Sequence, residues 1–163
     1  MQVEETIPIV EAIKLLEQCN LLTSDVLETN DSHFFGLRRN GELYAVVGVE
    51  LFGIEGLLRS LAVADEMRGQ GHAGALVAHV ESFAKKNGVH SLFLLTNTAN
   101  QFFAHLGYQP IPRSQAPASI RHTAQFAGLC AASADFMAKA LGAWRLPATP
   151  EPTSPSTLPG VSF

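Results

Sequence analysis

Apolar and polar positions alternate along this chain with two periods, and the switches between them mark the elements. Residues 2 to 7 read as a short first strand. From Pro8, which suits a first helical turn, Ile9, Ala12, Ile13, Leu15 and Leu16 fall near one helical face, with Asn20 as the stop. Thr23-Ser24-Asp25 offers an N-cap for a second short helix through Val26 and Leu27. His33 to Arg38 and Leu43 to Leu51 then read as two strands joined at Asn40-Gly41, a dipeptide that favours a tight type I′ hairpin. In the second of these, Leu43, Ala45, Val47, Val49 and Leu51 share one face and Tyr44, Val46, Gly48 and Glu50 the other. Both faces are apolar enough to be buried, so Glu50 is a carboxylate in apolar company. Phe52-Gly53 turns the chain into a third strand, where Leu57, Arg59, Leu61 and Val63 point one way and Leu58, Ser60 and Ala62 the other.

The period then changes. Ala73, Leu76, Val77, Val80 and Ala84 form a helical stripe that Asn87-Gly88 ends. Ser91 to Leu95 is a continuous apolar run, as in a central strand covered on both faces. Ala99, Phe102, Phe103 and Leu106 recur at helical spacing before Gly107. A stretch broken by Pro110, Pro112 and Pro117 comes next, with a short helix expected from Ala118 to Phe126 and a last strand from Ala134 to Leu141. From Pro147 onward, five of the nine prolines alternate with Ser and Thr. Such a segment buries too little apolar area to order itself. The expected organisation is one domain over residues 1–142 and a flexible tail over 143–163.

The chemistry concentrates between Leu57 and Gly74. An apolar strand runs into Arg68-Gly69-Gln70-Gly71-His72-Ala73-Gly74, which opens a helix. Helix N-termini carry unpaired N–H groups and partial positive charge, and glycines let a ligand approach the backbone. The stretch is therefore a phosphate cradle. Gly69, Gly71 and Gly74 fit G-x-G-x-x-G, yet that dinucleotide fingerprint wants an acidic residue about 20 positions on. No Asp or Glu occurs between Glu81 and Asp135. A P-loop is excluded, because no Gly-Lys-Ser/Thr is present after the turn.

Arg68 to Ala73 also reads R-x-x-G-x-A after a strand of the form L-x-x-L-A-V. This resembles the acyl-CoA signature of the GCN5-related N-acetyltransferase (GNAT) superfamily. Over residues 3 to 141, the order strand, two helices, three strands, helix, strand, helix, strand resembles that α/β fold, a central mixed twisted sheet flanked by helices. Leu58 to Val63, Leu94-Leu95-Thr96, Phe102 to Tyr108, Pro117 to Arg121 and Ala127 to Ala134 resemble its arsenic-resistance branch, itself similar to the acetyltransferase domain of N-acetylglutamate synthases.

The resemblance implies acetyl-CoA as cosubstrate. Its pyrophosphate would lie on the amides of Arg68, Gly69, Gln70, Gly71, His72, Ala73 and Gly74. Its pantetheine arm would lie along Leu61, Ala62 and Val63, and Phe103 would stand near it. The acceptor would be the amine of a small amino-acid-like molecule, either an ordinary amino acid or one carrying arsenic or phosphorus. A free α-amino group has a pKa of about 8 and needs a base near neutral pH. Glu50 is the candidate and His33 the weaker alternative; a structural ion pair between Glu50 and Arg59 is the competing reading. Arg59, Ser60, His33 and Arg121 are the candidate acceptor-binding residues, with Arg113 beside Arg121 in the loop expected to roof the acceptor. Many relatives place a tyrosine where this chain has Phe103, so their general acid is missing. A thiol with a pKa of about 8.5 leaves as thiolate at pH 7 for only about 2 kcal/mol. A non-catalytic acyl-CoA-binding module is the rival from another class.

Composition narrows the partners. The chain has 163 residues, 47% hydrophobic and 16% charged, with a net charge of −4, which argues against a general nucleic-acid binder. Residues 82 to 134 hold Lys85, Lys86, Arg113 and Arg121 and no acid, which suits an anionic ligand. Cys19 and Cys130 make neither a disulfide framework nor an arsenic(III) site. The histidines show no metal spacing, and His72 and His79 are expected to be solvated. No run is long enough to span a membrane, and Met1-Gln2-Val3-Glu4-Glu5 is acidic where a secretion signal is basic. A cytoplasmic enzyme without metal or membrane attachment is expected, and a homodimer is compatible with the resemblance.

Overall fold

A computed structural model of the chain describes residues 2–19, 21, 32–123, 126–127 and 134–141. The expected helix after Thr23, the segment holding Cys130 and the tail lie outside the described residues. Six strands form one mixed sheet: β1 (Ser32–Arg39), β2 (Glu42–Phe52), β3 (Glu55–Val63), β4 (Ser91–Thr96), β5 (Gln109–Pro110) and β6 (Asp135–Ala140), ordered β1-β2-β3-β4-β6-β5. The helices are α1 (Ile9–Gln18), α2 (His72–Lys86), α3 (Asn100–His105) and α4 (Ala118–Arg121). Two compact units divide these elements, Met1–Leu51 with Leu57–Phe83, and Phe52–Gly56 with Ala84–Phe163.

In the first unit, β1 and β2 pair antiparallel around Asn40 (φ 55°) and Gly41 (φ 81°), the two left-handed residues that an Asn-Gly hairpin provides. Every residue from Ala45 to Glu50 is buried, as expected of a strand apolar on both faces. Ile7, Ala12, Leu15, Leu16, Phe34, Val46 and Ala62 form one core. Phe35 packs edge-on against Phe83, ring centres 4.9 Å apart, while Leu76, Val77 and Val80 of α2 are buried.

The strand expected over residues 2 to 7 shrinks to one bridge. Glu4 exchanges two backbone hydrogen bonds with Gly36, 2.8 and 3.0 Å, and pairing stops there. The chain then leaves the edge to bury Ile7 and begin α1 after Pro8.

That bridge also sets an ion network. Arg38 donates from Nε to Glu4 at 2.7 Å and from its two terminal nitrogens to both Glu11 oxygens. The Arg38 hydrogen bond holds the Glu11 carboxyl below its ordinary 4.5 and pushes the guanidinium up. A carboxyl depressed by folding stabilises the fold above its unfolded pKa, and that contribution is lost as pH falls through the folded value. Glu11→Gln should therefore lower stability at about pH 6 and cost progressively less as both proteins are acidified to about pH 3. Urea midpoints at the two pH values measure this; a pH-independent difference would assign the effect to packing.

In the second unit, β6 pairs antiparallel with β4 over Ser91–Thr96 and with β5 over Gln109–Pro110. The apolar run of β4 is central, as expected. Gly88 (φ 87°) closes α2 with bonds from its own N–H to Lys85 and from the Val89 N–H to Ala84, the glycine stop that Asn87-Gly88 predicts. α4 ends at Arg121, short of the expected Phe126. The Thr123 hydroxyl donates to the Ile120 carbonyl at 2.7 Å and accepts from the Phe126 N–H, competing with helix continuation. The Lys139 ammonium donates to the Leu106 carbonyl and lies 5.6 Å from the Tyr108 ring centre.

Candidate active site

Within the first unit, β2, β3 and the start of α2 hold most of the residues that the sequence singles out. Beyond Val63, the Ala64 N–H reaches the Tyr44 carbonyl at 2.8 Å, and Asp65–Met67 make one tight turn. Arg68 then folds back. Its Nε donates to the Val63 carbonyl at 2.9 Å, and a terminal nitrogen lies 2.8 Å from Asp65. This pins the end of β3 to the turn beyond it.

Gly69 (φ 78°) and Gly71 (φ 85°) are left-handed and have no atom within 4 Å of a Cβ built on them. Arg68, Gly69, Gln70 and Gly71 are exposed, and the Ala75 N–H already bonds to the Gly71 carbonyl. The glycines thus serve conformation, and the space over them is open. An exposed turn feeding the N-terminus of a 15-residue helix is the geometry that receives a phosphate.

His72 departs from its expected solvation. Its ring packs edge-on against Tyr44, centres 4.9 Å apart, and both ring nitrogens are buried without a hydrogen-bond partner among the described residues. His79 is also engaged, 2.9 Å from Glu5 and 5.3 Å from the Phe35 ring centre. Helical periodicity places both on the polar face, but Tyr44, Phe35 and Glu5, from elsewhere in the chain, decide their company.

Glu50 and Arg59 meet. Arg59 donates to Glu50 Oε2 at 2.7 Å, with side-chain exposures of 0% and 6% for Arg59 and Glu50. A buried ion pair must return in geometry what both groups lose in hydration. From Nε, Arg59 also donates to the Ser60 hydroxyl at 3.0 Å. His33 is exposed and its ring lies 5.1 Å from that of Phe83.

The strict alternation expected along β3 breaks at Ser60, whose φ of 57° is left-handed. Leu57, Leu58 and Arg59 are buried in succession, Ser60 and Leu61 are half-buried, Ala62 enters the core, and Val63 is half-buried. A left-handed residue inside a strand rotates the residues after it and interrupts the ladder. No residue type announces it, since serine has no preference for that conformation.

The remaining candidates belong to the second unit. Phe103 is buried, its ring edge-on to Tyr108 at 5.5 Å, while Phe102 is half-buried. Arg121 is exposed and its Nε donates to the Ala116 carbonyl at 2.9 Å. Arg113 donates to the Ala134 carbonyl and covers the Phe126 ring at 5.4 Å. Ser119 donates to Glu55 at 2.8 Å and fixes α4. Among the described residues no three metal-ligating side chains gather, and no helix is long and apolar enough to cross a membrane.

Residues 30–110 match the family model described as an acetyltransferase (GNAT) domain. An amino-acid acetyltransferase of Neisseria meningitidis is 29% identical over 114 residues, which is 67% of this chain and 26% of that protein. The chain thus spans about a quarter of the length of the curated relatives it first matches. Among solved structures, N-acetylglutamate synthase from Neisseria gonorrhoeae, complexed with coenzyme A and N-acetyl-glutamate, superposes with a TM-score of 0.69. It is 22% identical, and the match covers 86% of this chain and 35% of that one. A Mycobacterium tuberculosis protein in complex with CoA gives 0.69 at 17% identity, covering 86% and 99%.

Proposed function

Residues 30–110 belong to the acetyltransferase (GNAT) domain family, and from that premise we propose that this protein transfers acetyl from acetyl-CoA to the amine of a small amino-acid-like molecule. The observation that carries the reading is the exposed turn from Arg68 to Gly71, with two left-handed glycines, between β3 and α2. The amides of residues 68–74 receive the pyrophosphate. The backbone of β3 from Leu61 to Val63 receives the pantetheine arm. N–H groups of the same strand stabilise the oxyanion that develops on the acetyl carbonyl.

Glu50 takes the proton of the incoming ammonium, directly or through water, and the buried Arg59 holds that carboxylate in place; Arg59 reaches an acceptor carboxylate only by exchanging it for Glu50. Ser60 and His33 are the further contacts assigned to the acceptor. An amino acid offers both the amine and the carboxylate. The amino-acid acetyltransferases among the relatives support this class of acceptor. An organoarsenical or phosphinic amino acid is the finer form, resting on the motif resemblance alone.

Thiol release from acetyl-CoA tests the proposal across glutamate, glutamine, methionine, an aminophosphinic acid, an organoarsenical amino acid and a polyamine. Turnover with at least one amino acid is expected. Turnover confined to the arsenic and phosphorus compounds would select the finer form. Turnover with the polyamine alone would overturn the anionic-acceptor argument. Binding of acetyl-CoA with no thiol released from any amine would favour a binding module.

A further inference from the structure

The left-handed residue in β3 needs a cause. Among the described residues only Asn40 and Ser60 are non-glycine residues with positive φ. Asn40 sits in a tight hairpin, where asparagine is at home. Ser60 sits within a strand, where a left-handed serine costs about 1–2 kcal/mol. Such strain persists only when the surroundings over-determine it.

One side chain does so here. The Arg59 guanidinium is anchored on Glu50 of β2 at 2.7 Å, and its Nε reaches forward to the hydroxyl of the next residue at 3.0 Å. A planar guanidinium holds its donors in a fixed fork. The buried pair therefore fixes a donor beside the Ser60 hydroxyl and favours the backbone that brings the hydroxyl to it. Leu61 and Val63 come directly after, so their direction depends on this clamp.

We propose that Arg59, anchored by Glu50, is a positioning residue that holds Ser60 in its left-handed conformation and thereby aims the Leu61–Val63 segment at the bound thioester. The inference rests on the acetyl-transfer reading above. It gives the buried pair a part in orienting the strand that meets the acetyl group, beyond any exchange of protons at Glu50. The acetyl carbonyl then meets N–H donors set in advance, which is where electrostatic stabilisation acts most strongly.

Two Ser60 variants separate this role from simple strain. Ser60→Gly adopts positive φ without penalty but has no hydroxyl for Arg59. It should fold at least as stably as the parent and still lose about tenfold to a hundredfold in kcat, with KM for acetyl-CoA and for the acceptor little changed; a raised acceptor KM at parental kcat would assign Ser60 to the acceptor and overturn the clamp. Ser60→Asn tolerates the left-handed region and keeps an acceptor oxygen for Arg59, and should recover part of that loss. Steady-state kinetics with the acceptor turned over fastest in the panel, together with thermal melts, provide the readout. Parental kcat in Ser60→Gly would overturn the clamp while leaving acetyl transfer intact. A parent protein that neither binds nor turns over acetyl-CoA would overturn the underlying reading, and the clamp with it.

Discussion

Replacing Gly71 by aspartate should weaken acetyl-CoA binding by more than about a hundredfold. Two effects add. Any side chain at φ 85° costs about 1–2 kcal/mol of backbone strain, which is about tenfold when binding requires that turn. A carboxylate about 5 Å from a phosphate charge adds about 3 kcal/mol at an effective dielectric of about 20. A Cβ on Gly71 meets nothing within 4 Å, so steric damage to the fold is not part of the expectation. Gly71→Ala should show only the first effect, about tenfold. Gly41→Asp is the control, since Gly41 has φ 81° and equal space but lies in the β1–β2 hairpin. Calorimetric titration with acetyl-CoA, alongside circular dichroism, measures all three. Parental affinity in Gly71→Asp would remove the turn from the site.

Removing one member of the buried pair should be the most damaging change to the fold. Arg59→Met strips the guanidinium from the buried Glu50 carboxylate, and breaking such a pair costs about 3–5 kcal/mol. Arg59→Met combined with Glu50→Leu leaves two apolar groups of similar bulk and should regain most of that loss. The double variant should nevertheless remain inactive, having neither the proton acceptor nor the strand clamp. Denaturant midpoints and thiol release, measured on the same preparations, separate the two effects. A stable double variant with parental turnover would reduce the pair to a packing feature. Glu50→Gln refines the assignment: loss of turnover greatest near pH 6 to 7 and smaller near pH 9, where the amine deprotonates unaided, marks a base.

How much of this is legible in the sequence depends on how locally each feature is encoded. Asn40-Gly41 specifies its hairpin within two residues. Gly69, Gly71 and Gly88 stand where positive φ is required, and the run from Leu92 to Leu94 demands burial whatever its neighbours. The Glu50–Arg59 contact is half legible: the alternation places each charge on an apolar strand, and that leaves few partners other than one another. Ser60 is not legible, because Leu57-Leu58-Arg59-Ser60-Leu61-Ala62-Val63 reads as an unbroken strand and the clamp proposed for it is anchored on Glu50 of another strand. The Arg38 network joins residues 27 and 34 positions apart, beyond any local pattern. The two-residue β5 exists only because β6 lies beside it.

The single bridge between Glu4 and Gly36 has a consequence beyond stability. Among the described residues β1 ends the strand order, and a sheet edge offers a row of backbone donors and acceptors to any extended chain. Here the N-terminal segment occupies that edge at Gly36 and brings Glu4 onto Arg38, while Arg39 adds charge at the strand end. Charged groups beside an edge discourage a second strand from zipping on. The first residues tie the fold, and the charge they bring to this edge is expected to discourage self-association. Truncating them would uncover a template for aggregation in a domain whose core was still intact.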